Sequence, residues 1–84
     1  MRTVVLYARE GCCLCDEART LLVRLHERHP AAFAWKERDI DSDDQLHVAY
    51  LERIPVVTID DEEAFELHVD ESELAQRLGI VGTG

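Results

Sequence analysis

The feature that most constrains this chain is the segment Arg9–Ala18, which holds all three cysteines at the junction of two sequence patterns. The run before it, Thr3–Ala8, is apolar and β-branched, as in a buried central strand. From Cys13 to about Arg28, apolar side chains recur at helical spacing. The thiols are therefore predicted at a strand-to-helix turn, where unpaired backbone N–H groups favour an anion such as a thiolate.

Cys12 and Cys15 form a C-x-x-C pair within this turn. Residues three apart on a helix lie on the same face, so the two thiols can close to a disulfide and reopen with little backbone movement. Cys15 continues the apolar stripe of the helix and is predicted to be the buried partner. Cys12 comes earlier in the turn and is predicted to be the exposed attacking thiol. The pair therefore indicates thiol–disulfide exchange.

The third cysteine, Cys13, is expected to face outward as a bystander. The alternative is a third redox thiol or a metal ligand. Three cysteines are one short of a four-cysteine zinc site, and the spacing of the four histidines demands no fourth ligand. We therefore predict no metal site.

Length and charge limit the possible classes of protein. A chain of 84 residues is expected to form one domain, residues 1–84. A net charge of −9 argues against nucleic acid or an anionic membrane as a partner. No apolar run is long enough for a secretory signal or a membrane span. We therefore expect a cytoplasmic protein, and we expect it to be a monomer. In the cytoplasm structural disulfides are rare, and cysteine pairs tend to be catalytic or metal-binding.

The middle of the chain predicts a second strand and a short helix. The strand is placed at Phe33–Ile40, and the charges within it favour the edge of a sheet. Ser42 and Gln45 fit a capping box at the start of a helix that ends near Leu51.

The last third of the chain predicts a hairpin and a final helix. Strand Val56–Ile59, turn Asp60–Glu63 and the alternating strand Ala64–Val69 make the hairpin. Asp70 fits the N-cap of the last helix, and residues 80–84 are expected to be a frayed tail. The predicted order is β-α-β-α-β-β-α, an α/β fold with a mixed four-stranded sheet and helices on both faces.

Two of these motifs together resemble a known family. The run Val4–Tyr7 leading into Gly11-Cys12-x-x-Cys15, followed some forty residues later by Ile54-Pro55-Val56, resembles the glutaredoxin family of the thioredoxin fold. The small bacterial glutaredoxin-like proteins with a Gly-Cys-x-Leu-Cys-Asp-Glu-Ala motif are especially similar. The resemblance implies a thioredoxin-like fold and a dithiol–disulfide oxidoreductase, with a cis-proline at Pro55 that faces the dithiol.

The resemblance also implies roles in substrate binding. The backbone of Ile54 would meet the substrate, and Arg9 takes the position of the basic residue that glutaredoxins usually carry just before the dithiol. Arg53 is a candidate partner for a substrate carboxylate because it directly precedes Ile54 in the sequence, and not because of the resemblance. Glutaredoxins usually have a Gly-Gly pair where glutathione docks, whereas this chain has the bulky, acidic segment His68–Glu71.

The leading hypothesis is therefore exchange with a disulfide-containing protein or a low-molecular-weight thiol. No intrinsic cofactor is expected, and an external reductant, either glutathione as a co-substrate or a reductase, would reset the dithiol. The alternative is a non-catalytic module that binds a partner protein, a metal or an Fe–S centre through its cysteines.

Overall fold

The computed structural model describes residues 2–80. Its elements are, in order, β1 (Arg2–Ala8), α1 (Cys13–Arg28), β2 (Phe33–Asp39), a single 3-10 turn (Ile40–Ser42), α2 (Asp44–Tyr50), β3 (Val56–Ile59), β4 (Glu62–Glu66) and α3 (Glu71–Arg77). Of the predicted tail, residues 81–84 lie outside the described residues. Ile80 donates its N–H to the carbonyl of Ala75 and packs against the core.

The four strands form one mixed sheet in the order β2-β1-β3-β4. β1 pairs with β2 in parallel and with β3 antiparallel, and β3 pairs antiparallel with β4. The prediction of a central first strand, a charged edge strand and a terminal hairpin is confirmed. A short turn joins the end of β1 to the start of α1, so the cysteines lie at one end of the sheet. Helix α1 then crosses back over the sheet, which is what allows β2 to run parallel to β1.

The main core lies between the sheet and helices α1 and α3. Four α1 residues are buried as their spacing predicts: Cys15, Ala18, Leu22 and Leu25. They pack with Val4 and Leu6 of β1 and Leu74 of α3. Each fully buried side chain of this size contributes about 1.5–3 kcal/mol. The core therefore fixes the start of α1 against the end of β1.

Helix α2 covers the opposite face of the sheet. Tyr7 alternates with Leu6 along β1 and so points away from the main core. Its ring lies 4.8 Å from that of Tyr50, the last residue of α2, measured between centroids. The helices therefore lie on both faces, as predicted.

The cap of α2 differs from the prediction. The carboxylate of Asp43 accepts the backbone N–H groups of Gln45 at 2.8 Å and Leu46 at 3.4 Å. The hydroxyl of Ser42 instead donates to the carbonyl of Asp39 at 2.6 Å. The prediction of Ser42 as the cap was wrong by one residue, because the chain first makes the 3-10 turn and Ser42 ends it.

The hairpin is also tighter than predicted. Ile59 pairs with Glu62, so only Asp60 and Asp61 form the turn, and both have left-handed φ values of 51° and 70°. Two-residue turns of this kind match the twist of the strands, and aspartate tolerates the left-handed region.

Strand β4 ends sooner than its alternating pattern predicts. The register shifts between Val57 and Thr58, which leaves an extra residue in β4. Leu67 then adopts a φ of 66° and is 48% exposed, whereas Phe65 and Val69 are buried. The prediction that Leu67 continues the inward-facing side of a strand was wrong, because its backbone is left-handed.

Candidate dithiol site

Cys12 is the N-cap of α1. Its backbone is extended, with φ −101° and ψ 114°, and its Sγ accepts the N–H of Cys15 at 3.2 Å. Its carbonyl accepts the N–H of Asp16 at 3.0 Å. The chain reaches this position through Gly11, whose φ of 81° lies in the left-handed region. A β-carbon at Gly11 would meet nothing within 4 Å, so it is the backbone conformation that favours glycine there.

The three thiols differ in exposure. Cys13 is exposed, Cys12 is half-buried and Cys15 has no exposed surface. Burial, and then the hydrogen bond with Cys12, raises the pKa of Cys15 to about 12. Cys15 is therefore a neutral thiol at physiological pH, and Cys12 is the accessible member of the C-x-x-C pair.

The loop before β3 lies at the same end of the sheet. Tyr7 pairs with Val56, so Pro55 lies beside the end of β1, from which the turn to the cysteines departs. The Ile54–Pro55 peptide bond is cis. The carbonyl of Pro55 accepts the N–H of Leu67 at 2.9 Å, whereas no hydrogen bond in residues 2–80 uses the backbone of Ile54. The backbone groups of Ile54 are thus unpaired within the described chain.

Both arginines predicted to meet substrate make ion pairs within the chain. Nε of Arg9 lies 3.4 Å from a carboxylate oxygen of Asp41. Arg53 pairs with Glu66 at 2.6 Å and with Glu63, and its guanidinium lies 5.5 Å from the centre of the Tyr50 ring. The structure thus brings Arg9 to the dithiol turn and holds Arg53 against α2 and β4.

The acidic segment before α3 is also partly engaged. The carboxylate of Asp70 accepts the N–H of Glu73 at 3.0 Å and so caps α3, as predicted. Glu71 lies 3.3 Å from Arg28 and 4.0 Å from Arg24. Both charges therefore have partners inside the protein.

Sequence reasoning missed a groove beside the dithiol turn. It has a volume of about 470 Å³ and runs between the first half of α1 and the segment that follows β4. Leu14, inside the C-x-x-C motif, and Leu67 line it, and both are exposed. The available signal was Leu14, an apolar residue that falls outside the buried stripe of α1.

Two features are absent from residues 2–80. Within them, no three His, Cys, Asp or Glu side chains are grouped so that they could hold a metal ion. Nor does this part of the chain contain a helix with the length and apolar content to cross a membrane.

Comparison with solved structures defines the class of fold. A mutant thioredoxin from Halobacterium salinarum is 21% identical and superposes with a TM-score of 0.68, covering 92% of this chain and 71% of its own. Protein Ne2328 from Nitrosomonas europaea is 29% identical with a TM-score of 0.73, and the alignment covers 90% of this chain and 89% of that one. The target protein XcR50 from X. campestris has the same identity and TM-score, with coverage of 94% and 99%. The fold is thioredoxin-like.

The sequence itself defines the family. Residues 3–79 match the model of the glutaredoxin-like domain (DUF836), so the chain belongs to that family. No curated protein matches the sequence.

Proposed function

We propose that this protein is a dithiol–disulfide oxidoreductase in which Cys12 attacks and Cys15 resolves. The observation that carries the proposal is the difference in exposure between the two thiols, of which Cys12 also accepts the backbone N–H of Cys15. Cys12 is accessible at the start of α1, where helix N–H groups stabilise negative charge. Cys15 is enclosed and protonated, so it is a poor first nucleophile.

The reaction balances as two exchanges. The Cys12 thiolate attacks one sulfur of a substrate disulfide, forms a mixed disulfide and expels the other sulfur as a thiolate. Cys15 then attacks the Cys12 sulfur and gives up its proton, and the second substrate sulfur leaves as a thiol. The substrate gains two electrons, one proton from Cys15 and, when its expelled thiolate is protonated, the proton that Cys12 had released to solvent, while Cys12 and Cys15 become a disulfide. An external dithiol or glutathione returns the same electrons and protons.

The test is reduction of a small uncharged disulfide by single-cysteine variants. Cys12→Ser should abolish turnover, and Cys15→Ser should accumulate a mixed disulfide that peptide mass spectrometry maps to Cys12. Cys13→Ser is the matched control and should stay within about threefold of wild type. Turnover that survives Cys12→Ser, or an adduct mainly on Cys13, would contradict the assignment. Absence of turnover in the wild-type protein itself would favour a module that only binds partners.

We further propose that a protein reductase, rather than glutathione, resets the dithiol. The segment before α3 presents bulky side chains where a Gly-Gly pair would admit glutathione. Its acidic groups also oppose a ligand with two carboxylates. Reduction rates with glutathione and with a thioredoxin-type reductase should be compared directly. Rapid glutathione coupling, unchanged in Glu71→Asn, would contradict this part. We place the activity in the cytoplasm, where such a pair remains reducible.

A further inference from the structure

The groove beside the dithiol is the feature that the exchange chemistry leaves unexplained. Its volume is about 470 Å³, enough for a large side chain and its backbone. Its walls include Leu14, Leu21, Leu67, Asp16, Glu17 and Arg24. We call it the Leu14–Leu67 groove.

Residues of the groove are connected to both segments of the dithiol site, which are the C-x-x-C motif and the loop that carries Pro55. Leu14 lies between Cys13 and Cys15 in the motif itself. Leu67 donates its N–H to the carbonyls of Arg53 at 3.0 Å and Pro55 at 2.9 Å. The groove therefore adjoins both the C-x-x-C motif and the loop that carries Pro55.

Leu14 and Leu67 are both exposed, and an exposed apolar side chain adds little to the stability of the fold. Leu14 is 44% and Leu67 is 48% exposed. Leu67 also holds a φ of 66°, a conformation that is costly for a residue with a β-carbon. Costly backbone conformations with exposed apolar side chains are concentrated at binding sites.

The charges around the groove identify the kind of ligand. Asp16 and Glu17 both line it. Asp16 is paired with Arg19 at 2.6 Å, whereas no ion pair within residues 2–80 involves Glu17, so Glu17 carries the uncompensated negative charge of the lining. Arg24 is the one basic side chain among the described lining residues other than His68, and it lies 4.0 Å from Glu71. The whole chain carries a net charge of −9. The groove therefore favours an apolar side chain accompanied by a positive charge.

We propose that the Leu14–Leu67 groove selects protein disulfides in which an apolar residue and a Lys or Arg flank the cysteine. The apolar side chain packs between Leu14 and Leu67, and the cation faces Glu17. This inference rests on the proposed function, because the bound segment is the one that exchanges with Cys12.

The experiment compares three disulfide-linked peptide dimers, built from Lys-Cys-Leu, Lys-Cys-Gly and Glu-Cys-Leu. Their kcat/KM values are measured alongside that of a small uncharged disulfide. The first dimer should exceed each of the other two by about tenfold. Leu67→Gly should bring the ratio of the Leu peptide to the Gly peptide close to one, and Leu14→Asn provides a second test of the same wall. Glu17→Gln should bring the ratio of kcat/KM for the Lys-Cys-Leu dimer to that for the Glu-Cys-Leu dimer closer to one.

Val48→Ser is the matched control, since Val48 is 84% exposed on α2 and does not line the groove. It should leave every ratio unchanged. Equal rates for the three peptides, or a leucine preference that persists in both groove variants, would overturn the inference while the proposed function stands. Failure to reduce even the small disulfide would overturn the proposed function and this inference with it.

Discussion

The backbone N–H of Cys15 donates a hydrogen bond to the Sγ of Cys12 over 3.2 Å. One contact thus caps helix α1 and ties the thiol of Cys12 to the backbone of Cys15. Serine, threonine, aspartate and asparagine are the usual residues at an N-cap. Cysteine here places a sulfur where an oxygen would ordinarily lie, so the helix itself fixes the orientation of the thiol. The buried stripe that follows holds Cys15 beneath it.

The difference in exposure predicts selective alkylation of the reduced protein. Brief treatment with iodoacetamide near neutral pH should modify Cys12 and Cys13 and leave Cys15 largely unmodified. Cys15 is enclosed and its pKa is raised to about 12, so it presents little thiolate. Peptide mass spectrometry measures the labelling at each position. Unfolding in urea should make all three react, and comparable labelling of Cys15 in the folded protein would contradict the structure.

The raised pKa of Cys15 also predicts a loss of stability at alkaline pH. The folded state keeps the Cys15 proton up to a pKa of about 12, whereas an unfolded chain releases it near about 8.5. Between these values the unfolded state binds fewer protons. This contribution to stability is therefore full below about pH 8.5 and declines as the pH rises toward about 12, by at most about 1.4 kcal/mol per pH unit.

The measurement is the free energy of unfolding in urea for the reduced protein at several pH values between about 8 and 10. Cys15→Ala is the control, because it keeps every other titrating group and removes this one. The difference in stability between wild type and Cys15→Ala should shrink as the pH rises. Parallel pH dependences for the two proteins would show that Cys15 titrates normally.

The cap of α2 predicts different losses of stability for alanine substitutions at the neighbouring residues Ser42 and Asp43. Asp43→Ala removes the acceptor for the N–H groups of Gln45 and Leu46 and should cost about 1 kcal/mol of stability. Ser42→Ala removes one exposed hydrogen bond to Asp39 and should cost about 0.5 kcal/mol or less. Urea denaturation measures both. A larger loss at Ser42 would support the capping box that the sequence alone suggests.

These differences show which parts of the molecule a sequence pattern can predict. The order of elements, the central β1 and the buried face of α1 follow from apolar periodicity, which depends on the large free energy of burial. The cap of α2 was misplaced because Ser42 and Asp43 are both good caps and differ by local hydrogen bonds of about 1 kcal/mol. Periodicity cannot resolve terms of that size.

The candidate site also has features that the sequence pattern predicts and features that it does not. The burial of Cys15 and the exposure of Cys13 follow from their positions on the helix. The ion pairs of Arg9 and Arg53 join residues distant in sequence, so no local pattern indicates them. The groove was missed because Leu67 fits an alternating strand pattern, and only its left-handed φ of 66° directly after Glu66 shows that it leaves the strand.

The backbone at Leu67 makes a stability prediction that separates binding from folding. Leu67→Gly should change the free energy of unfolding by less than about 1 kcal/mol, because three contributions nearly cancel. Glycine removes a left-handed cost of about 1–2 kcal/mol for a residue with φ of 66°, offset by a greater entropy of the unfolded chain of about 0.4–1 kcal/mol. Removal of the half-buried side chain also loses about 0.8–1.5 kcal/mol, half of the value for a fully buried leucine.

Leu51→Gly is the matched control, since Leu51 is a similarly exposed leucine with a right-handed φ of −49° at the end of α2. Glycine gains nothing in that conformation and should destabilise the protein by about 2 kcal/mol, because it loses about 1 kcal/mol of helix propensity and the burial of the side chain. Urea denaturation of the two variants gives the comparison. A loss at Leu67 as large as that at Leu51 would show that the Leu67 side chain stabilises the fold. A neutral or favourable change would leave ligand contact as the reason for an apolar side chain at this position.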